Sequence, residues 1–368
     1  MSTPGPPLPA PGDDAALEPD SAPADGAGAS GSLARRVGGA LVLVSLVVFV
    51  GFPLLFTDAT TTTIAVYALI FMVATASWNT FSGFSGYLAL GHAAFFGTGA
   101  YAVALAAQDW HVPGGWDVFA LLPFAGLVAG LAAIPVGLVA LRTRRHTFVV
   151  VTIAIFFIFQ LAAFNLAFTG ETSGITLPIA PFAPSTYNLP FYYVALAILI
   201  LTVAFSWGVR RSRFGLQLLA IRDDEDRARG LGVKVGRVKL ASFVMSAIPV
   251  GMVGGLYAYF LGQVFPQFAF DPLFDVSIAL MGFLGGLGTL VGPLLGALVL
   301  ETLQQYFTLT YSGAGVYLIA YGVLFLVVIL LLPRGVVPGL RDLFHWWRAR
   351  TPGRPTDDGV IGVAGAPP

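Results

Sequence analysis

Eight stretches of this chain contain no Asp, Glu, Lys or Arg: 37–57, 59–108, 118–141, 146–170, 172–209, 240–270, 276–300 and 302–333. A helix of about 20 apolar residues, rising about 1.5 Å per residue, crosses the roughly 30 Å of hydrocarbon in a bilayer. Cutting the longer stretches at Gly, Pro, Asn and Ser yields ten predicted spans, near 38–56, 60–78, 84–107, 118–141, 147–168, 190–209, 240–261, 273–288, 290–310 and 315–332. The expected fold is an all-α polytopic membrane protein of about ten transmembrane helices, with a Gly-rich third span and a short eighth. Composition agrees: 57% of the chain is hydrophobic and 10% charged, where a soluble domain carries roughly 25% charged residues.

The placement of the 19 Lys and Arg residues supplies an orientation. They fall at 35 and 36, at 142, 144 and 145, in the block 210–239, which holds nine, and at 334, 341, 348, 350 and 354. With ten spans, all of these positions lie on one side. The opposite connections carry Asp58, Asp109, Asp117, Glu171, Asp271 and Asp275 and no basic residue. The positive-inside rule makes the basic side cytoplasmic, with both termini, in the plasma (inner) membrane of a bacterium. Residues 1–34, rich in Pro, Gly and acids, and 346–368 read as flexible cytoplasmic tails flanking a transmembrane body over 35–345.

Two glycine-rich segments interrupt the apolar runs, Gly83-Phe84-Ser85-Gly86 leading to Gly91, and Gly282-Phe283-Leu284-Gly285-Gly286-Leu287-Gly288. Interrupted spans at corresponding places in two halves point to a translocation pathway. Close helix packing, which small residues permit, is the competing explanation. Two ionisable residues lie at membrane depth, His92 and Glu301; such residues mark pathways or face the bundle interior.

Several chemistries are excluded. The chain has no cysteine, no His-Glu-x-x-His zinc helix and no Gly-x-Ser-x-Gly elbow. Lys234 and Lys239 follow no Walker A loop, so ATP is not hydrolysed here by that route. The run Asp223-Asp224-Glu225-Asp226 could hold magnesium in a membrane transferase, but the second acidic cluster such enzymes need is missing. No resident metal or cofactor is expected. A proton-coupled secondary transporter using Glu301 or His92 is a further alternative.

The block from Ser212 to Val233, followed by Lys239-Leu240-Ala241-Ser242-Phe243, resembles the permease subunits of ABC importers for branched-chain amino acids, and the similar urea and short-amide permeases. The resemblance rests on Gly215, Ala220, Arg222, Asp223, Glu225, Leu231, Gly232, Lys239 and Leu240. It extends to Asn79-Thr80-Phe81-Ser82-Gly83 with Gly91-His92, and to Gly285-Gly286-Leu287-Gly288-Thr289 with Gly292-Pro293. It implies a coupling helix at 215–232 that docks on an ATPase, with Leu216, Leu219 and Ala220 at helical spacing and Asp224, Asp226 and Arg227 in its charged run. The glycine-interrupted spans and the ionisable residues at membrane depth, together with this resemblance, place a pathway near Asn79, Gly83, Gly86, His92, Gly285, Gly286, Gly288 and Glu301. The implied partners are a second homologous permease subunit, two cytoplasmic ATPase subunits that hold ATP and magnesium, an external solute-binding protein and the lipid bilayer. Nucleic acid is not among them.

Overall fold

The computed structural model describes residues 43–310 together with 319, 322, 323 and 326. The chain divides after Phe52 into two units. The described part of the first belongs to α1 (Leu43–Leu55). Most of the tenth predicted span, the start of the first and both tails lie outside the described residues.

The second unit is a helical bundle around α2 (Ala59–Ser85) and α10 (Val235–Leu261). Asp58 starts α2 by accepting the Thr61 N–H at 3.0 Å, which satisfies one of the free donors of a helix start. Its 27 residues reach about 40 Å, enough to cross a bilayer. Gly86 ends it in the left-handed region, at φ +73°. Helix α10 packs against α3 (His92–Asp109) and α5 (Leu122–Ala140), and α2 packs against α7 (Asn188–Arg211), α12 (Pro272–Gly285) and α13 (Gly292–Thr310). Small residues permit the closest contacts: a methyl group on Gly99 of α3 would stand 2.0 Å from the Gly251 carbonyl of α10. With no hydrophobic drive between helices in lipid, such close packing holds them together.

Helix α6 (Arg145–Asn165), α5 and α7 turn Leu127, Leu131, Val150, Ile158, Leu161 and Leu201 outward, fully apolar faces that suit hydrocarbon. Among the described residues six segments are long and apolar enough to cross a membrane: Ala59–Ser85, Trp116–Ala140, Arg145–Asn165, Pro184–Arg211, Val235–Leu261 and Pro266–Gly285. The chain is thus an all-α polytopic membrane protein. The connection after α6 folds back through a two-residue strand, Ile175–Thr176, antiparallel to Gln263–Val264 after α10.

Three expectations are corrected. The predicted third span, 84–107, is not one helix: α2 runs on to Ser85, residues 86–91 are non-helical, and α3 begins at His92. His92 is therefore the first residue of a helix rather than deep within one. Asp275, assigned above to an external connection, lies inside α12 and is buried. Its Oδ1 accepts the N–H groups of His92 and Ala93, at 2.8 and 3.1 Å. A carboxylate at a helix N-terminus meets unpaired donors and the positive end of the helix dipole, which compensates its burial.

Candidate functional site

The predicted coupling helix at 215–232 is two helices, α8 (Arg213–Asp223) and α9 (Glu225–Gly230). Asp224 separates them in an extended conformation, and its Oδ1 accepts the N–H groups of Asp226 and Arg227, both at 3.0 Å. A capping aspartate inside a run of acids starts a new helix in place of extending the old one. The apolar face also differs from expectation. Leu216 is exposed, while Leu218, Ile221 and Ala228 are buried against Phe84, Val209, Val235 and Val238, with Ala220 at the margin. Gly215 passes so close to the Val209 carbonyl that a methyl group would stand 2.1 Å from it. Gly232, at φ +87°, turns the chain between α9 and α10.

From this platform Arg222 reaches into the bundle. Its Nη1 donates to the Gly83 carbonyl at 3.0 Å, in the last turn of α2, and its stem lies against Gly86. Gly83 in turn touches the second glycine segment: a methyl group there would stand 2.8 Å from the Gly288 nitrogen. Gly288 adopts φ +78°. Asn79 fixes it with both ends of its amide, accepting the Gly288 N–H and donating to the Thr289 carbonyl, each at 2.8 Å. Arg210 Nη1 donates to the Gly288 carbonyl, also at 2.8 Å. The two Gly-Phe-x-Gly segments, about 200 residues apart in sequence, therefore meet under one arginine of α8.

Glu225 makes a second attachment. It accepts hydrogen bonds from the Tyr87 hydroxyl, in the break between α2 and α3, from Lys239 Nζ at 3.0 Å and from Arg229 at 3.1 Å. Burial raises the Glu225 pKa, but the bonds from Tyr87 and Lys239 and the charges of Lys239 and Arg229 outweigh it and hold the carboxyl below its ordinary value of 4.5. The Asp224 carboxyl is also lowered, first by the Arg227 N–H it accepts. Arg145, opening α6, donates to the Ile221 and Arg222 carbonyls and so caps the end of α8. The acids diverge: Asp223 is exposed, Asp224 caps, Glu225 faces inward and Asp226 lies 3.7 Å from Arg229. Among the described residues no three His, Cys, Asp or Glu side chains are grouped to hold a metal.

The remaining predicted residues lie elsewhere. The His92 ring is wholly buried, its Nε2 3.0 Å from Ser246 Oγ and its faces against Phe95 and Phe243. Gly285 packs on the Gly292 backbone, and Gly286 ends α12 at φ +115°. Glu301 is wholly buried midway along α13, its Oε1 2.7 Å from Gln305 Nε2. It lines a cavity separate from the junction of Arg222, Asn79 and Gly288.

Residues 60–332 match the family described as branched-chain amino acid transport system / permease component. The chain belongs to this family. It is 29% identical over 295 residues to the high-affinity branched-chain amino acid transport system permease protein LivM of Escherichia coli, covering 72% of this chain and 68% of that one. It is 28% identical over 293 residues to the LivM protein of Salmonella typhimurium, covering 72% and 67%. The autoinducer 2 import system permease protein LsrC of Klebsiella pneumoniae is 31% identical over 125 residues, 33% of this chain and 35% of that one. No solved structure matches.

As a permease component, the chain is a multi-pass membrane protein that is not itself catalytic. Family membership accounts for the motif residues, but not for Tyr87, Arg145, Arg210 or Asp275, which the sequence reading did not place in the site. Arg145 and Arg210 were read only as topology markers. Tyr87 stands inside the glycine segment and is the one hydroxyl there beside Ser85, a signal that was available.

Proposed function

We propose that the chain is the membrane-spanning permease subunit of an ATP-driven importer, passing branched-chain or related small amino acids from an external solute-binding protein into the cytoplasm. A second homologous permease subunit completes the passage, and two ATPase subunits on the cytoplasmic side hold ATP and magnesium. The ten-span topology, with both termini and residues 210–239 cytoplasmic, puts α8 and α9 where the ATPases dock. The observation that carries the reading is Arg222: it ties these helices to the carbonyl of Gly83, which itself touches Gly288.

The working cycle follows from these attachments. ATP-driven closure of the ATPases moves α8 and α9 as one block, because Leu218, Ile221 and Ala228 are packed into a single core with Phe84 and Val238. Arg222 and Glu225 pass that movement to the break between α2 and α3, and the contact of Gly83 and Asn79 with Gly288 passes it to the break between α12 and α13. Non-helical backbone between packed helices is the part of a bundle able to take two arrangements without unpacking whole helices. Docking itself falls to the exposed apolar residues Leu216 and Leu231, 62% and 85% exposed, and to the charges around them.

The test is reconstitution of the chain with its ATPases, second permease subunit and binding protein in vesicles, comparing leucine, isoleucine, valine, urea and acetamide. ATP-dependent uptake of the aliphatic amino acids is expected. In the same system Leu231→Asp should abolish co-purification of the ATPases while leaving the thermal midpoint of the permease unchanged. Uptake that proceeds without any ATPase would overturn the reading.

A further inference from the structure

Glu301 takes no part in the junction, and its surroundings are of a different kind. One carboxyl oxygen is held by Gln305, but Oε2 has no hydrogen-bond partner, and neither does Oε1 of Gln304 one turn away. Both residues line a cavity of about 240 Å³. Its other walls are largely aromatic: Tyr67 and Phe71 of α2, Phe96 of α3, Tyr257 of α10 and Phe274 of α12. The rings support one another, with centroids 4.4 Å apart for Phe96 and Phe274 and 5.9 Å for Tyr67 and Tyr257. Glu301, Gln304, Gln305 and Thr308 share one face of α13, at the i, i+3, i+4 and i+7 positions that a helix aligns.

A buried acceptor without a donor is costly, and two such acceptors side by side, one of them on a carboxylate, lack a donor-only cation. A primary ammonium is that group: it carries three N–H donors and no acceptor. Aromatic faces add attraction for its charge and apolar contact for whatever body it is attached to. The cavity is smaller than the roughly 300–1,000 Å³ of sites for drug-sized ligands, so the body is small. None of the described lining residues is Lys or Arg, and Asp271 adds a second acid. A solute carboxylate therefore has no counter-charge inside, and the ammonium is the end that enters.

We infer that the cavity beside Glu301 binds a primary ammonium group on a small aliphatic body, with Glu301 Oε2 and Gln304 Oε1 as its acceptors and the aromatic wall around its apolar part. The import reading enters only in identifying the natural occupant as an aliphatic amino acid.

The experiment titrates the full-length chain in detergent with 3-methylbutylamine, leucine, 4-methyl-2-oxopentanoate and sodium chloride, reading the thermal midpoint. The amine and leucine should raise it saturably, while the keto acid, which lacks the ammonium, should not. Glu301→Gln should weaken the amine titration by about tenfold or more, the scale of a hydrogen bond to a charged group, and Gln304→Leu by less. The inference fails if the keto acid acts like the amine, if sodium chloride alone gives the same rise, or if Glu301→Gln titrates as the wild type. Should that variant not accumulate, the amine and keto acid titrations of the wild type decide by themselves. Amine binding at Glu301 in a chain that supports no amino-acid uptake would refute the import reading and leave this site standing. Uptake with amine binding indifferent to Glu301 would do the reverse.

Discussion

Two polar places inside the bundle, the junction at Asn79 and the cavity at Glu301, are built on opposite terms. At the junction Asn79 uses both ends of its amide, Arg210 and Arg222 each hold a glycine carbonyl, and Glu225 is met by three donors. Around Glu301 two buried acceptors, Glu301 Oε2 and Gln304 Oε1, have no donor, and open space replaces close contact. A saturated site has nothing left to offer a solute and behaves as a rigid joint, since breaking any one bond strands a buried group. An unsaturated one is completed only by something that arrives. On the proposed reading, the saturated site is the part that transmits force and the unsaturated one the part that recognises.

The largest effect that would break this contrast is at Asn79. Asn79→Leu keeps the branched shape but strands the Gly288 N–H and the Thr289 carbonyl. A loss of about 1–3 kcal/mol for each buried group is expected, read as a lowered thermal midpoint and reduced protein in the membrane. A midpoint equal to that of the wild type would mean that water already serves these groups and that the junction is not closed.

A medium effect is expected at Glu225 and depends on pH. Its folded pKa lies below the ordinary 4.5, so its contribution is fully present above that value and is lost as pH falls through the lower folded value. The midpoint difference between wild type and Glu225→Gln should be constant near neutrality and shrink on acidification below about pH 4.5. A difference that grows in acid would contradict the pairing with Tyr87 and Lys239.

The smallest effect sharpens the other half. Gln304→Leu removes a buried acceptor that has no donor, so without ligand it should leave the midpoint unchanged or raise it slightly. The opposite sign to Asn79→Leu, for the same kind of amide-to-leucine change, is the signature of the contrast. A loss as large as at Asn79 would show that Gln304 is already bonded.

How far this arrangement was legible in the sequence follows from what each signal reports. Charge-free runs report helices in lipid, and they located α5, α6 and α7 to within a few residues, the start of α2 and the end of α10, but they ended α2 seven residues early. The motif around Arg222 named the right segment because its residue types stand close together in sequence. Helix breaks were harder. The predicted span 84–107 hid a break, since Tyr87, Leu88 and Leu90 are as apolar on average as a helix and only the left-handed Gly86 ends α2. The kink at Asp224 was hidden by its neighbours, because a run of acids reads as a charged surface until a backbone shows which one caps. Asp275 was misplaced for the same reason: an acid in an apolar stretch marks a boundary unless a helix start lies opposite, and His92 stands 183 positions away. Partnerships such as Arg222 with Gly83 are set by tertiary packing, which residue type and spacing do not encode.

In the proposed cycle Arg222 carries movement from α8 and α9 to both glycine breaks. Arg222→Met keeps the aliphatic stem against Gly86 and removes the guanidinium that holds Gly83. The decisive measurement is ATP hydrolysis by the assembled transporter in vesicles, with and without the loaded solute-binding protein. The account predicts that the variant assembles and keeps its basal hydrolysis, while stimulation by the loaded binding protein and solute uptake are both lost. Assembly with stimulation and uptake at wild-type levels would contradict it, and would leave Arg222 as a packing residue at the edge of the bundle.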